Sequence, residues 1–210
     1  MQMTGCHYNS VCKFTDGSKF VCMDDLLKDI MNGECLIYTF GIAKDWSFED
    51  FMDSLGCEIY AFDGSVDYPE KRGQGIHFEK VFVGTENIDS ENTAALSSLM
   101  GKYGHTKTKI SYLKMDIEGN ELNGLPLWLA EGSLDYVQQI GLEFHLDINI
   151  ATTLSFIQTL KELYFEGEYR LISYEGNGCA KNLDVGKARE KYFYLAEVVF
   201  KKVALKNRCM

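Results

Sequence analysis

Short apolar runs alternate with helix-period stretches along most of this chain, and that alternation restricts its fold more than any other feature. "CLIYTF" (35–40) and "CEIYAFD" (57–63) are continuous apolar runs of the kind buried on both faces of a sheet. Between them, "WSFEDFMDSLG" sets Phe48, Phe51, Met52 and Leu55 on one helix face. Ser47 and Asp50 there have the look of a capping box, and Gly56 sits where a helix stops. "GIHFEKVFVG" predicts a third strand, "NTAALSSLMGKYG" a helix, and "TKISYLKMD" a fourth strand. "NELNGLPLWLAEG" predicts a helix weakened by Gly124 and Pro126, "YVQQIGLEFH" a fifth strand, and "TTLSFIQTLKELYFEG" a further helix. "YRLISYEG" and "KYFYLAEVVFK" follow with no helix between them, which predicts an antiparallel hairpin across 175–190.

Strands alternating with helices build right-handed βαβ crossovers. The expected fold is therefore α/β and Rossmann-like, a mostly parallel open sheet of about seven strands with helices on both faces and an antiparallel C-terminal hairpin. It occupies 35–203. Residues 1–34 read as an N-terminal extension with little regular structure, in which "FTDGSKFVCMDD" can turn at Asp16 and Gly17, and 204–210 read as a tail.

The 210 residues suit one large domain, and a 46% hydrophobic content supplies its core. A net charge of −10, with no basic face, argues against nucleic acid as a partner. No apolar run reaches membrane-spanning length and no signal peptide leads the sequence, so the chain as written reads as soluble and cytoplasmic. A secretory route stays open if the sequence derives from a longer precursor. Cys6, Cys12, Cys22 and Cys35 crowd the first segment, while Cys57, Cys179 and Cys209 are scattered. Without a C-x-x-C pair they do not read as zinc ligands. Disulfides in an oxidising compartment and reduced, buried thiols both fit. The sequence is silent on oligomeric state.

In an open α/β sheet the ligand lies at the carboxyl ends of the central strands. The fourth strand ends in "MDIEGNE", with Asp116, Glu118 and Glu121 close together. The first strand-to-helix turn, "FGIAKD", holds only Gly41, too few glycines for a pyrophosphate cradle, and there is no P-loop. A ligand without phosphates, such as S-adenosylmethionine, asks less of that turn. Asp63 ends the second strand roughly twenty residues later, where an acid can accept ribose hydroxyls or simply form a turn.

"CLIYTFGIAKDWSFEDFMDSLGCEIYAFD", "YLKMDIEGNE" and "LEFH" together resemble the methyltransferase-like 24 group of class I S-adenosylmethionine-dependent methyltransferases, relatives of the FkbM type. The resemblance runs from about Cys22 to the last strand. The generic class I pattern, an acid followed by three spaced glycines, is not kept. The resemblance implies that Phe40, Gly41 and Ile42 border the methionine moiety and that Asp45 and Ser47 meet its amino-acid tail. It implies Asp63 on the ribose, Gly84 and Thr85 flanking the adenine, and Asp116 facing the sulfonium and the acceptor. It further implies O-methylation of a small-molecule or glycan acceptor. Phe40 and Ile42 also suit a plain core, and Asp45 and Ser47 a helix cap.

Methyl transfer from a sulfonium is an in-line displacement, mainly a positioning task. An oxygen acceptor must also lose a proton, to Asp116, Glu118, Glu143 or His145. Glu143 and His145 alternate on one face of the fifth strand, so with Asp116 they could instead gather a divalent metal, Mg or Mn. The plainer readings have Glu118 capping the next helix, His145 packed at a strand end, Lys114 snorkelling or paired with a carboxylate, and "EGNGC" (175–179) either lining the acceptor side or making a turn. Two other functions compete. Tyr103 and Lys107 have the spacing of a short-chain dehydrogenase pair, and the reduced glycine turn fits a non-catalytic Rossmann-like nucleoside-binding module.

Overall fold

The computed structural model describes residues 8–10, 19–145, 150–176, 182–184, 191–193 and 195–203. In chain order the elements are β1 (Tyr8–Ser10), β2 (Phe20–Cys22), α1 (Met23–Asn32), β3 (Leu36–Phe40), α2 (Ser47–Ser54), β4 (Glu58–Phe62), β5 (Lys71–Arg72), β6 (Ile76–Glu79), β7 (Phe82–Gly84), β8 (Thr93–Ala95) and α3 (Leu96–Lys102). There follow β9 (Tyr112–Met115), α4 (Glu121–Ala130), β10 (Gln139–His145), α5 (Ile150–Phe165), β11 (Tyr169–Gly176), β12 (Asn182–Asp184), β13 (Lys191–Phe193) and β14 (Leu195–Lys202).

Eight strands form one sheet in the order β11-β14-β10-β9-β3-β4-β6-β5. The centre is parallel: β3 pairs with β4 and β9, β4 with β6, and β9 with β10. β14 runs antiparallel to both β10 and β11, so the C-terminal hairpin forms as its sequence predicts. This is the expected α/β arrangement. β3 lies between β4 and β9, so the chain reverses its direction of winding there, and a crevice opens above the carboxyl ends of those strands.

Strand alternation sorts the core into two layers. Tyr38, Phe40, Phe62, Leu113, Met115, Leu142 and Val198 pack on one face with Trp128 of α4 and Leu163 of α5. Ile37, Ile59, Ala61, Tyr112 and Val199 face the other way, toward Leu26 of α1 and Phe48 and Met52 of α2. Each fully buried side chain of this size contributes about 1.5–3 kcal/mol.

Several local expectations change. α2 has no side-chain cap, because Ser47 is already its first helical residue. Asp45 accepts the Ser47 amide instead at 2.9 Å, and Asp50 binds Arg72 through both carboxylate oxygens. The third strand is interrupted at Val81, which turns into the core. Beyond it β7 leaves the main sheet and pairs in parallel with β8, residues expected to begin a helix. The first segment holds a ten-residue helix, α1, stopped by Gly33 in the left-handed conformation (φ 70°). Its apolar face is short, which hid it among cysteines and acids. β1 and β2 pair antiparallel, while Asp16 and Gly17 lie outside the described residues.

Cys35 and Cys57 form a disulfide joining the amino ends of β3 and β4. Among the described residues no helix is long and apolar enough to cross a membrane.

Candidate functional site

Backbone contacts bring three strand ends together. The Gly41 amide donates to the Phe62 carbonyl at 3.0 Å, and the Asp116 amide donates to the Phe40 carbonyl at 2.9 Å. Gly41 has φ 78°, and a Cβ placed on it would lie 1.7 Å from the Asp116 carbonyl oxygen. Only glycine lets the first turn press this closely on the end of β9. Above this junction lies an open cleft of about 240 Å³, lined by Gly41, Ile42, Asp63, Phe82, Lys114 and Asp116 among others.

Asp63 pins the turn. Its Oδ2 accepts the amides of Ile42 (2.9 Å) and Ala43 (2.8 Å), and its Oδ1 accepts the amide (2.8 Å) and hydroxyl (2.6 Å) of Ser65. Four donors match the lone-pair capacity of a carboxylate. Burial alone would raise this carboxyl, but the four hydrogen bonds outweigh it and hold the group below its ordinary range.

Lys114, on β9 two residues before Asp116, lies beneath the same turn. Its Nζ donates to the Gly41 carbonyl at 3.2 Å and to Glu49 Oε1 at 3.1 Å, and lies over the Phe48 ring, 5.8 Å from its centre. Both partners of this ion pair are buried, and Glu49 Oε2 has no hydrogen-bond partner among the described residues.

A second polar cluster flanks the cleft where β10 and β14 pair. Glu143 and Glu197 stand opposite each other in register. Lys19, just before β2, is buried against them, paired with Glu197 and 3.7 Å from Asp116 Oδ2. Burial opposes the Lys19 charge, yet Glu197, Asp116 and Glu143 together hold its ammonium above the ordinary lysine value. Glu197 shares that one ammonium with other acids, so burial prevails there and pushes its carboxyl up to about 7. The Tyr112 hydroxyl donates to the Phe20 carbonyl (2.8 Å), and the Gln139 side chain bonds the amide (2.8 Å) and carbonyl (3.0 Å) of Cys22, which fix the segment that carries Lys19.

Of the residues expected at the site, Gly41, Ile42, Asp45, Asp63, Asp116 and Glu118 line the cleft. Phe40 is fully buried in the core, and Ser47 does not line the cleft. Gly84 and Thr85 line an adjoining cavity that shares Phe82, Val83 and Asn120 with it. Glu118 does not cap α4, since that helix has no side-chain cap; it takes a left-handed backbone (φ 56°), rare for a residue with a Cβ, at the mouth of the cleft. Glu143 is buried and outside the cleft lining. His145 ends β10, its side chain lies outside the description, and residues 177–179 of "EGNGC" do too. A divalent metal is not supported: among the described residues no group of three or more His, Cys, Asp or Glu side chains could hold one, and the Lys19 ammonium already stands beside Asp116. Tyr103 and Lys107 do not share a helix, because α3 ends at Lys102; Tyr103 instead donates to Glu79 at 2.6 Å. Sequence reasoning missed Lys19, Glu49 and Glu197. Glu197 alternates with the apolar Ala196 and Val198, a signal of a strand acid on one face, but nothing local marks Lys19 as its partner.

A family model described as a methyltransferase domain matches residues 2–182. Probable methyltransferase-like protein 24 of Homo sapiens is 30% identical over 162 residues, covering 67% of this chain and 43% of that protein. Its Rattus norvegicus counterpart is 29% identical over 143 residues, covering 60% of this chain and 38% of that protein. The chain thus spans less than half the length of these curated relatives. Among solved structures, Aeropyrum pernix fibrillarin in complex with natively bound S-adenosyl-L-methionine aligns with a TM-score of 0.44 and 11% identity, covering 80% of this chain and 66% of that one.

Proposed function

This chain belongs to the methyltransferase domain family, and from that premise we propose that it transfers the methyl group of S-adenosylmethionine to an oxygen of a small-molecule or glycan acceptor. The observation that carries the proposal is the convergence of Gly41, Asp63 and Asp116 on one cleft at the carboxyl ends of β3, β4 and β9. The donor set fits the cofactor. The Gly41 turn comes close enough for backbone contact, the acids suit a sulfonium, an ammonium and ribose hydroxyls, and Phe62, Phe82 and Val83 offer apolar surface.

Asp63 would hold the ribose through Oδ1, exchanging the Ser65 hydroxyl for one from the ligand, while Oδ2 keeps the Ile42 and Ala43 amides in place. Phe82 and Val83 would flank the adenine, with Gly84 and Thr85 behind them. S-adenosylmethionine supplies an activated methyl group on a positively charged sulfur. Asp116 faces the cleft beside that position and would take the acceptor's hydroxyl proton as the oxygen attacks. Glu118 is its neighbour at the mouth, and Glu143 and Glu197 stand one and two strands further out with Lys19 between them and Asp116. The Cys35–Cys57 disulfide favours an oxidising compartment over the cytoplasm.

Isothermal titration with S-adenosylmethionine tests the cofactor, comparing wild type with Asp63→Ala. Micromolar binding that weakens in the variant is expected. Equal heats would remove Asp63 from the site. No heat with wild type would favour the non-catalytic module, a reading supported by the internal saturation of the Asp63 carboxylate. Labelled methyl donor incubated with glycans and metabolites then identifies the acceptor.

A further inference from the structure

The charges around the cleft are unevenly shared. Asp45, Asp63, Asp116 and Glu118 line it, and among the described lining residues the cation is Lys114. S-adenosylmethionine carries one anionic group, the carboxylate of its amino-acid tail. We propose that Lys114 recognises that carboxylate, with Glu49 holding the lysine in place from behind. This rests on the cofactor assignment above and moves the tail's anion from the mouth of α2, where Asp45 and Ser47 stand, to the floor of the cleft.

Three observations carry it. An ammonium has three donors, and two of them go to the Gly41 carbonyl and Glu49 Oε1. Glu49 is buried, and its Oε2 has no partner among the described residues, so it holds the lysine through a single oxygen and leaves the third ammonium donor for the ligand. Four carboxylates elsewhere on the wall repel an anion and accept the ligand's cationic and hydroxyl groups, which orients the tail carboxylate toward Lys114. Lys114 would thus be a specificity-determining residue for the tail, distinct from the groups that hold the nucleoside.

The test compares S-adenosylhomocysteine, which has the tail, with 5′-methylthioadenosine, which lacks it, by isothermal titration. Wild type should bind the first about ten- to a hundredfold more tightly. Lys114→Met should abolish most of that preference while leaving methylthioadenosine affinity within about twofold, and Lys114→Arg should restore part of it. Glu49→Gln acts in the opposite sense. It leaves the lysine charge unneutralised, so tail-dependent affinity should rise about fivefold. A purely structural strut under Gly41 would instead weaken both ligands alike in Lys114→Met and Glu49→Gln, and that result overturns the proposal. Equal affinities for the two ligands in wild type overturn it as well. Failure of wild type to bind either ligand removes the cofactor assignment itself and the tail contact with it. If Lys114→Met does not fold, the Arg and Glu49→Gln arms still decide.

Discussion

The Tyr112 hydroxyl fills the space that a Cβ on Gly141 would need, which would lie 1.7 Å from it, and from there it donates to the Phe20 carbonyl. A missing side chain on β10 thus lets β9 reach across the sheet to the N-terminal segment. Gly141→Ala should destabilise the protein by about 1–3 kcal/mol, since the ring cannot stay where it is. Tyr112→Phe should cost about 1 kcal/mol through the lost hydrogen bond. Denaturant midpoints measure both, and a neutral Gly141→Ala would mean that the Tyr112 contact does not persist in solution.

Gly41→Ala places a methyl group against the Asp116 carbonyl in a left-handed backbone. The turn must lift away from β9. Affinity for S-adenosylhomocysteine should fall at least about tenfold, with a stability loss of about 1–3 kcal/mol. Titration and thermal unfolding separate the two effects, and unchanged affinity would place the ligand elsewhere.

The Cys35–Cys57 disulfide closes a loop spanning 22 residues in sequence at the amino ends of β3 and β4, opposite the cleft. Replacing both cysteines with serine should cost about 3 kcal/mol of stability. Ligand affinity should stay within about twofold, because the disulfide and the cleft lie at opposite ends of β3 and β4. Denaturation of wild type and of the double serine variant, followed by titration of the variant below its midpoint, checks both halves.

Glu197 makes stability depend on pH. Burial pushes its carboxyl from the ordinary 4.5 up to about 7 in the folded chain, so it favours the fold when protonated. That contribution is complete below about 4.5 and is lost as pH rises through about 7. Lys19, Asp116 and Glu143 face the same group, and Glu175 is its register partner on β11. Between pH 4.5 and 8, wild type should lose up to about 3 kcal/mol relative to Glu197→Gln. Parallel pH profiles for the two proteins would remove Glu197 as the cause.

The strands were the most legible part of the sequence, because runs such as 35–40 and 57–63 are apolar on both faces and admit few other readings. Gly41, Asp63 and Asp116 were legible because strand ends are where an α/β fold gathers its polar groups. The capping box was not, since Ser47 and Asp50 fit the pattern while Asp45 and Arg72 captured the available bonds. Nor was the split of the third strand, which depends on Val81 turning into a core that only the tertiary packing defines. The pairings of Lys19 with Glu197 and of Lys114 with Glu49 join distant parts of the chain, and no local spacing encodes them.

The seating of Lys19 has a practical corollary. The Lys19–Cys22 segment packs behind the cleft, against Asp116 and Glu197. Removing residues 19–22 would, in one cut, take a positive charge away from Asp116 and leave the Tyr112 hydroxyl without its acceptor on Phe20.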